Sequence, residues 1–243
     1  DDPPAVIGYG NLGASELHYS SDLDLVFLHE RGEAPVRSVQ RMINAMQLPL
    51  AGGKLYSIDT RLRPNGNAGM LVSTLEGFAD YQARHAWTWE HQALIRARCV
   101  FGSDEFKDRF DALRHTVLAR RRDADEVRQS LADMRRRQLD QRSERSEKRL
   151  LGDIQFIAEL GVLLNAGEAS ELMQARATIE QLGLLAGLGW LERDTAKQLE
   201  DAFNQAAALR DRIFLERDCC EELPGSAREI VNLAWCDVFG QSL

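Results

Sequence analysis

The sequence lacks the features that mark membrane, zinc-binding and nucleic-acid-binding proteins. No apolar run approaches the roughly 18 residues of a membrane span, and the N-terminal Asp-Asp-Pro-Pro is unlike a secretory signal. The four cysteines and five histidines have no metal-site spacing, so a zinc site is not expected. The net charge of −8 lacks the basic excess that nucleic-acid phosphates require. We therefore expect a cytoplasmic protein with reduced thiols that binds neither membranes nor nucleic acid.

The composition is that of a globular chain whose character changes part-way along it. Its 243 residues are 44% hydrophobic and 28% charged, which allows one large domain or two small ones. Strand-like and aromatic patterns occupy residues 1–103, whereas long charged and aliphatic helical patterns occupy residues 104–243. We therefore expect an α+β domain over 1–103 and an all-α helical bundle over 104–243.

Two acidic residues stand two positions apart where a polar turn runs into a strand. Side chains alternate across a strand, so Asp22 and Asp24 share one face. Their carboxylates repel each other, and a cation between them relieves that repulsion. Mg²⁺ prefers oxygen ligands and binds through one or two carboxylates together with substrate phosphates. The pattern favours a magnesium site, and a strand end with two solvated acids is the alternative.

A glycine-rich turn precedes this strand. The apolar run that starts at Ala5 ends in Gly10-Asn11-Leu12-Gly13, where backbone N–H groups can approach a phosphate closely. A dinucleotide-binding fold would need a full helix after this turn. A strand begins again near Asp22, which leaves no room for that helix, so the dinucleotide-binding interpretation fails.

A third strand carries charges of both signs. Residues 55–63 alternate with period two and place Asp59, Arg61 and Arg63 on one face. A carboxylate beside two guanidinium groups suits a metal–triphosphate site, because the guanidinium groups can hold the phosphates. A row of surface salt bridges on an edge strand is the alternative.

Two further elements are expected in this part of the chain. Apolar residues at helical spacing predict an amphipathic helix over 36–48. A last strand is expected over 70–73, followed by a helix that begins near Leu75 and is capped by Thr74.

The next segment, 78–98, has a helical pattern and is unusually aromatic. We expect its tryptophans, Trp87 and Trp89, to pack in the core. Glu90 and Arg96 of the same segment either pair with each other or reach a bound nucleotide.

The C-terminal part is expected to fold as a bundle. Six helices are predicted, over 106–119, 125–142, 153–165, 168–185, 195–215 and 227–239. Gly152 is expected in a turn between two of them. The arginine runs 120–122 and 135–137 are interpreted as solvated helix faces, with a partner-binding face as the alternative. Cys219 and Cys220 are expected to serve packing rather than redox chemistry.

Several of these motifs resemble a known family. The Gly10-Asn11 turn, Asp22-x-Asp24 and the later Asp59 are similar to the nucleotidyltransferase superfamily that includes DNA polymerase β. Longer motifs resemble the adenylylating, C-terminal half of the glutamine synthetase adenylyltransferase family. They are Ile-Gly-Tyr-Gly-Asn-Leu-Gly at 7–13, Ser-Asp-Leu-Asp-Leu at 21–25, Arg-Leu-Arg-Pro-x-Gly-x-x-Gly-Met-Leu-Val at 61–72, and Trp-Thr-Trp-Glu-His-Gln-Ala-Leu-x-Arg-Ala-Arg at 87–98. This resemblance implies a polymerase-β-like mixed sheet with flanking helices.

The resemblance also implies a reaction. A tyrosine hydroxyl of glutamine synthetase would attack the α-phosphorus of ATP, and pyrophosphate would leave. Two Mg²⁺ ions would be held by Asp22, Asp24 and Asp59, and Asp59 is a candidate general base. The implied nucleotide-binding residues are Gly10, Asn11, Ser21, Arg61, Arg63, Glu90 and Arg96. Glutamine and the PII signalling protein are implied as possible regulators.

The sequence departs from the family pattern in places, and other functions remain open. Asn11 stands where the family usually has lysine, and Gln155 stands where it has glutamate. The loop over 31–54 is also shorter than expected. One alternative is a related nucleotidyltransferase, either a uridylyltransferase of PII or an adenylyl-removing half that works by phosphorolysis. Another is a non-catalytic module that docks a partner.

Overall fold

The computed structural model describes residues 3–30, 32–49, 51, 53, 56–141, 145–216 and 222–242. The chain forms two compact units, Asp1–Leu118 and Ala119–Leu243. The boundary differs from the predicted division after residue 103, because the helix Asp104–Leu118 belongs with the first unit. Its Phe106 and Phe110 lie in the same apolar core as the strands.

The first unit is built on a mixed sheet. Within the described residues its strands are β1 (Ala5–Gly8), β2 (Leu23–His29), β3 (Ile58–Asp59), β4 (Val72–Thr74) and β5 (Arg98–Phe101). The order is β3-β2-β1-β5, and β4 also pairs with β2. β1 runs antiparallel to β2 and β5, whereas β3 and β4 run parallel to β2. This mixed sheet confirms the expected α+β class.

Helices flank the sheet. They are α1 (Gly10–Gly13), α2 (Val36–Met46), α3 (Leu75–Arg84), α4 (Thr88–Ile95) and α5 (Asp104–Leu118). The helix predicted over 36–48 is confirmed as α2. The cap predicted for α3 is confirmed as well, because the Gly77 N–H donates to Thr74 Oγ1 at 3.0 Å.

Both faces of β2 are covered, which explains its nearly continuous apolar sequence. Val26 and Leu28 join a core that includes Phe78 of α3. Leu25 and Phe27 face a second core that includes Val39 of α2. The alternation that buries these residues also places Asp22 and Asp24 together at the start of the strand.

The third strand is shorter than predicted. The strand expected over 55–63 ends at Asp59, and its first residue lies outside the described part of the chain. The Arg61 N–H donates to Asp59 Oδ1 at 2.8 Å, which turns the backbone out of the sheet. Arg61 and Arg63 therefore do not share a strand face with Asp59, and that part of the prediction is wrong.

The aromatic segment is also more broken than predicted. The single helical segment expected over 78–98 is divided between α3 and α4, and Arg98 begins β5, which was not predicted. Burial of both tryptophans was expected, but the side chain of Trp87 is 69% exposed. Trp87 precedes the first residue of α4 and so lies at the surface rather than in the core.

The second unit is the expected helical bundle. Its helices within the described residues are α6 (Ala124–Gln141), α7 (Ser146–Asn165), α8 (Thr178–Gly187), α9 (Arg193–Leu215) and α10 (Gly225–Phe239). The central helix α7 packs against the other four and is buried along most of its length. The single helix predicted over 168–185 is wrong, because a short 3₁₀ helix, Ser170–Met173, precedes α8.

A buried ion pair corrects two further predictions. Gly152 lies inside α7 rather than in a turn, and a Cβ there would lie 2.7 Å from Arg135 Nη2. The absence of a side chain makes room for Arg135, which is only 2% exposed and donates to Asp153 Oδ1 at 2.8 Å. Arg135 is therefore not part of a solvated face. A buried guanidinium needs such partners because desolvation of a lone charge is costly.

The described cysteines, Cys99 and Cys236, are free thiols, the first buried and the second exposed. The packing role predicted for Cys219 and Cys220 lies outside the described residues. None of the helices in the described part of the chain has the length and apolar character needed to span a membrane. Localisation in the cytoplasm stays a prediction.

Candidate active site

Three carboxylates lie near the same end of the sheet and influence one another electrostatically. Asp22 and Asp24 lie at the start of β2, and the parallel register sets Asp24 opposite Asp59 of β3. The structure thus brings together the acids that the sequence separates. Asp22 and Asp59 also line an open cavity of about 390 Å³ with Arg61.

Asp24 lies near two other carboxylates, so ionisation of its own carboxyl is electrostatically unfavourable. Burial is the largest cause, and together with the charges of Asp59 and Asp22 it raises the pKa of the Asp24 carboxyl to about 6. Arg61 and Arg96 oppose this shift with a smaller effect. A divalent cation would relieve the repulsion among the three carboxylates.

The residues present fit a magnesium ion by the chemistry of their donors. Three carboxylates on adjacent strands supply the oxygen ligands that Mg²⁺ prefers. Within the described residues, no three acidic, histidine or cysteine side chains are already gathered at ligand spacing. Instead, Arg61 Nε donates a hydrogen bond to Asp59 Oδ2 at 2.8 Å. Asp22, Asp24 and Asp59 are thus the residues that would hold the ion.

The glycine turn lies directly against Asp24. The Tyr9 N–H donates to the Asp24 carbonyl at 2.9 Å, which joins the end of β1 to the start of β2. Gly10 has a φ of +51°, and a Cβ on it would lie 2.6 Å from Asp24 Oδ2. Both observations require glycine, because other residues rarely adopt this conformation and would displace the carboxylate.

Arg96 stabilises this turn from within the protein. Arg96 is only 4% exposed, and its side chain donates to the Gly10 carbonyl at 3.3 Å and to Asn11 Oδ1 at 3.1 Å. It also forms an ion pair with Glu16 at 2.6 Å. The structure therefore shows Arg96 as a residue that positions the Gly10-Asn11 turn. The ionic partner of Arg96 is therefore Glu16 and not Glu90.

The remaining predicted residues of the turn belong to the same hydrogen-bonded network. The Asn11 amide donates to Ser21 Oγ at 3.3 Å, and that hydroxyl accepts from the His18 N–H at 3.0 Å. Ser21 is itself buried. Asn11 therefore links the turn to the loop that enters β2.

Arg61 and Arg63 have different surroundings. Arg61 lies beside Asp59 with 62% of its side chain exposed, so its charge is available to a ligand in the cavity. Arg63 Nη1 donates to the Thr60 carbonyl at 2.8 Å and to Thr60 Oγ1 at 2.6 Å, contacts that stabilise the turn after β3.

Glu90 lies in the cap of α4. Its Oε2 accepts from the Trp87 N–H at 2.9 Å and from the Tyr81 hydroxyl at 3.2 Å. The side chain is 6% exposed. The structure thus does not bring Glu90 to the cavity at Asp22, and its predicted contact with a nucleotide stays a prediction.

Comparison with known proteins identifies the family. Residues 2–113 match the model of the family described as glutamate-ammonia ligase adenylyltransferase. The chain is also 37% identical over 261 aligned residues to a bifunctional glutamine synthetase adenylyltransferase/adenylyl-removing enzyme of Methylococcus capsulatus, with 96% of this chain covered. The chain belongs to the glutamate-ammonia ligase adenylyltransferase family. It spans 27% of the length of that relative.

In this member of the glutamate-ammonia ligase adenylyltransferase family, sequence reasoning missed several residues of the site. Ser57, Thr60 and Asn67 line the cavity beside Asp59, and Glu16 is the ionic partner of Arg96. Ser57, Thr60 and Glu16 are in loops or turns, and Asn67 lies in the short 3₁₀ helix Gly66–Ala68. A hydrophobic period does not mark which polar side chains face a ligand in such segments. A buried arginine that needs an acidic partner is the one signal that could have drawn attention to Glu16.

Proposed function

We propose that this chain transfers the adenylyl group of ATP to a tyrosine hydroxyl of glutamine synthetase and releases pyrophosphate. The observation that carries the proposal is the placement of Asp22, Asp24 and Asp59 near one another and beside the Gly10 turn. Phosphoryl-type transfer depends mainly on positioning and on charge neutralisation, and this arrangement offers both. The name of the Methylococcus capsulatus relative supports the choice of adenylyl group and acceptor.

The proposed cofactor is a pair of Mg²⁺ ions held by Asp22, Asp24 and Asp59. Bound there, the metal would supply charge neutralisation for the triphosphate and for the attacking and leaving oxygens. The raised pKa of Asp24 supports a cation at this position, since a cation favours the ionised carboxylate.

The chain's own residues bind and orient the reactants in this proposal. Backbone N–H groups of the Gly10-Asn11 turn approach the triphosphate, and Arg96 holds that turn in place. The exposed guanidinium of Arg61 lies at the cavity and can balance the charge of departing pyrophosphate.

Asp59 is the proposed general base. The tyrosine hydroxyl has an unperturbed pKa of about 10, so its proton must be removed as the oxygen attacks. In this step the proton passes to the Asp59 carboxylate, the new O–P bond forms at the α-phosphorus, and the bond to the β-phosphate breaks. If Asp59→Asn lowers Mg²⁺ affinity and leaves the pH dependence of the residual rate unchanged, the base assignment is wrong.

The direction of the reaction is part of the proposal. The relative's name covers both addition and removal of the adenylyl group. The motifs Trp-Thr-Trp-Glu-His-Gln at 87–92 and Gly-Met-Leu-Val at 69–72 resemble the adenylylating half, which favours addition. We include glutamine and the PII protein as proposed regulators on the same resemblance.

The experiment tests each of two nucleotides with each of two acceptor proteins. The chain is incubated with Mg²⁺, α-labelled ATP or UTP, and either glutamine synthetase or PII. Label from ATP on glutamine synthetase is the expected result. Label from UTP on PII would instead identify a uridylyltransferase. Phosphate-dependent release of ADP from adenylylated glutamine synthetase would identify the removing reaction. Binding of glutamine synthetase without any transfer would identify a docking module.

A further inference from the structure

The helical unit contains a cavity that the proposed reaction does not use. It measures about 570 Å³ and lies between α7 and α10. Its described lining residues are Ser146, Arg149, Arg228, Asn232, Trp235, Cys236 and Ser242. The polar groups that dominate this lining, two guanidiniums, an indole N–H and an amide, are hydrogen-bond donors. No carboxylate is among the described lining residues.

Two buried donors at this cavity have no partner among the described residues. They are Nε of Arg149 and the indole Nε1 of Trp235. Trp235 is only 1% exposed. Buried donors without acceptors are uncommon in folded proteins, because each has lost its hydrogen bond to water.

A charged cluster beside the cavity, which includes its lining residues Arg149 and Arg228, has an excess of positive charge. Arg135, Arg149 and Arg228 all act electrostatically on the buried carboxylate of Asp153. Asp153 accepts from Arg135 Nε at 2.8 Å and from Arg228 Nη1 at 2.9 Å, so both of its oxygens are used. Three guanidiniums around one carboxylate leave two positive charges unbalanced within this set.

We propose that this cavity is a binding site for a small dianionic oxyanion, with the chemistry of a phosphate or a dicarboxylate. Arg149 and Arg228 would hold the anion, with Asn232 and Ser146 as further hydrogen-bonding groups. The two charges of the ligand match the two unbalanced charges of the cluster. The site lies wholly within the second unit and does not depend on the proposed function.

The test follows the indole N–H signals of the protein by nuclear magnetic resonance. The whole chain, labelled with ¹⁵N, is titrated with inorganic phosphate in one series and malonate in another, without Mg²⁺. The signal of Trp235 is assigned from its loss in Trp235→Phe. We expect this signal to shift saturably, whereas those of Trp87, Trp89 and Trp190 stay constant. Sodium chloride at equal ionic strength should leave all four unchanged.

Variants separate the proposed site from general charge effects. Arg149→Gln should raise the apparent Kd at least tenfold, because it removes one of the two charges at the cavity. Asn232→Asp should weaken binding in the same direction, and this exposed position is tolerant of substitution even if the first variant folds poorly. Arg137→Gln is the matched control, since Arg137 is exposed on α6 and does not line the cavity.

The outcomes decide the proposal. Saturation by phosphate only would identify the phosphate class of ligand, and saturation by malonate only would identify the dicarboxylate class. The proposal is overturned if neither ligand shifts the Trp235 signal, or if chloride shifts it equally. It is also overturned if Arg137→Gln weakens binding as much as Arg149→Gln does.

Discussion

Replacement of Gly10 by alanine should damage the active site far more than it damages the fold. A residue with a side chain in the left-handed conformation costs about 1 kcal/mol. The new Cβ would also lie 2.6 Å from Asp24 Oδ2, whereas comfortable non-bonded contacts between heavy atoms need about 3.5 Å. The carboxylate must therefore move by roughly 0.9 Å, and a misplacement of about 1 Å costs on the order of a hundredfold in rate.

The assay compares two alanine variants in transfer activity and in stability. Gly189 has a φ of +73° with open space around its Cβ position, so Gly189→Ala provides the same backbone strain without the contact. Both variants should lose about 1 kcal/mol in urea unfolding. Only Gly10→Ala should lose about a hundredfold in kcat/KM. Full activity in Gly10→Ala, or an equal loss in Gly189→Ala, would refute the reasoning.

Three further predictions, the first with a matched control, concern the rest of the protein. Gly152→Ala should destabilise the helical unit by about 3 kcal/mol in urea unfolding, because its Cβ displaces the buried Arg135 from its ion pair. Gly183 is exposed in α8 and has free space around its Cβ position, so Gly183→Ala should instead raise the free energy of unfolding by about 1 kcal/mol. Thr74→Ala should cost about 1 kcal/mol through loss of the α3 cap, and equal stability would contradict it. Burial raises the pKa of the Cys99 thiol, so alkylation followed by peptide mass spectrometry at pH 8 should be slower at Cys99 in the native than in the unfolded chain.

Local patterns were sufficient to predict much of the first unit. The alternation around Asp22 and Asp24 predicted a strand at these two acids, and β2 contains Asp24 and begins directly after Asp22. The Thr74 cap could also be predicted, because the Thr74 hydroxyl and the Gly77 N–H that it accepts from are only three residues apart. Features that depend on neighbouring residues in sequence can be inferred without knowledge of the fold.

Features that depend on distant residues could not be predicted in this way. β5 is short, and its pairing with β1 joins Cys99 to Ile7 across most of the unit. Arg135 belongs to a charged run that suggests a solvated face, yet the space beside Gly152 and the charge of Asp153 bury it. The strand predicted over 55–63 was too long. Its period-two pattern does not show that the Arg61 N–H would donate a hydrogen bond to Asp59.

The central claim is that the carboxylates at the start of β2 support adenylyl transfer to glutamine synthetase. The most direct measurement compares label transfer from α-labelled ATP by the wild-type chain, Asp24→Asn and Asp108→Asn. Asp108 is an exposed acid on α5, so its variant removes the same charge outside the site. We predict that Asp24→Asn loses at least about a hundredfold in rate and that Asp108→Asn keeps the wild-type rate. Transfer by Asp24→Asn at the wild-type rate would contradict the claim.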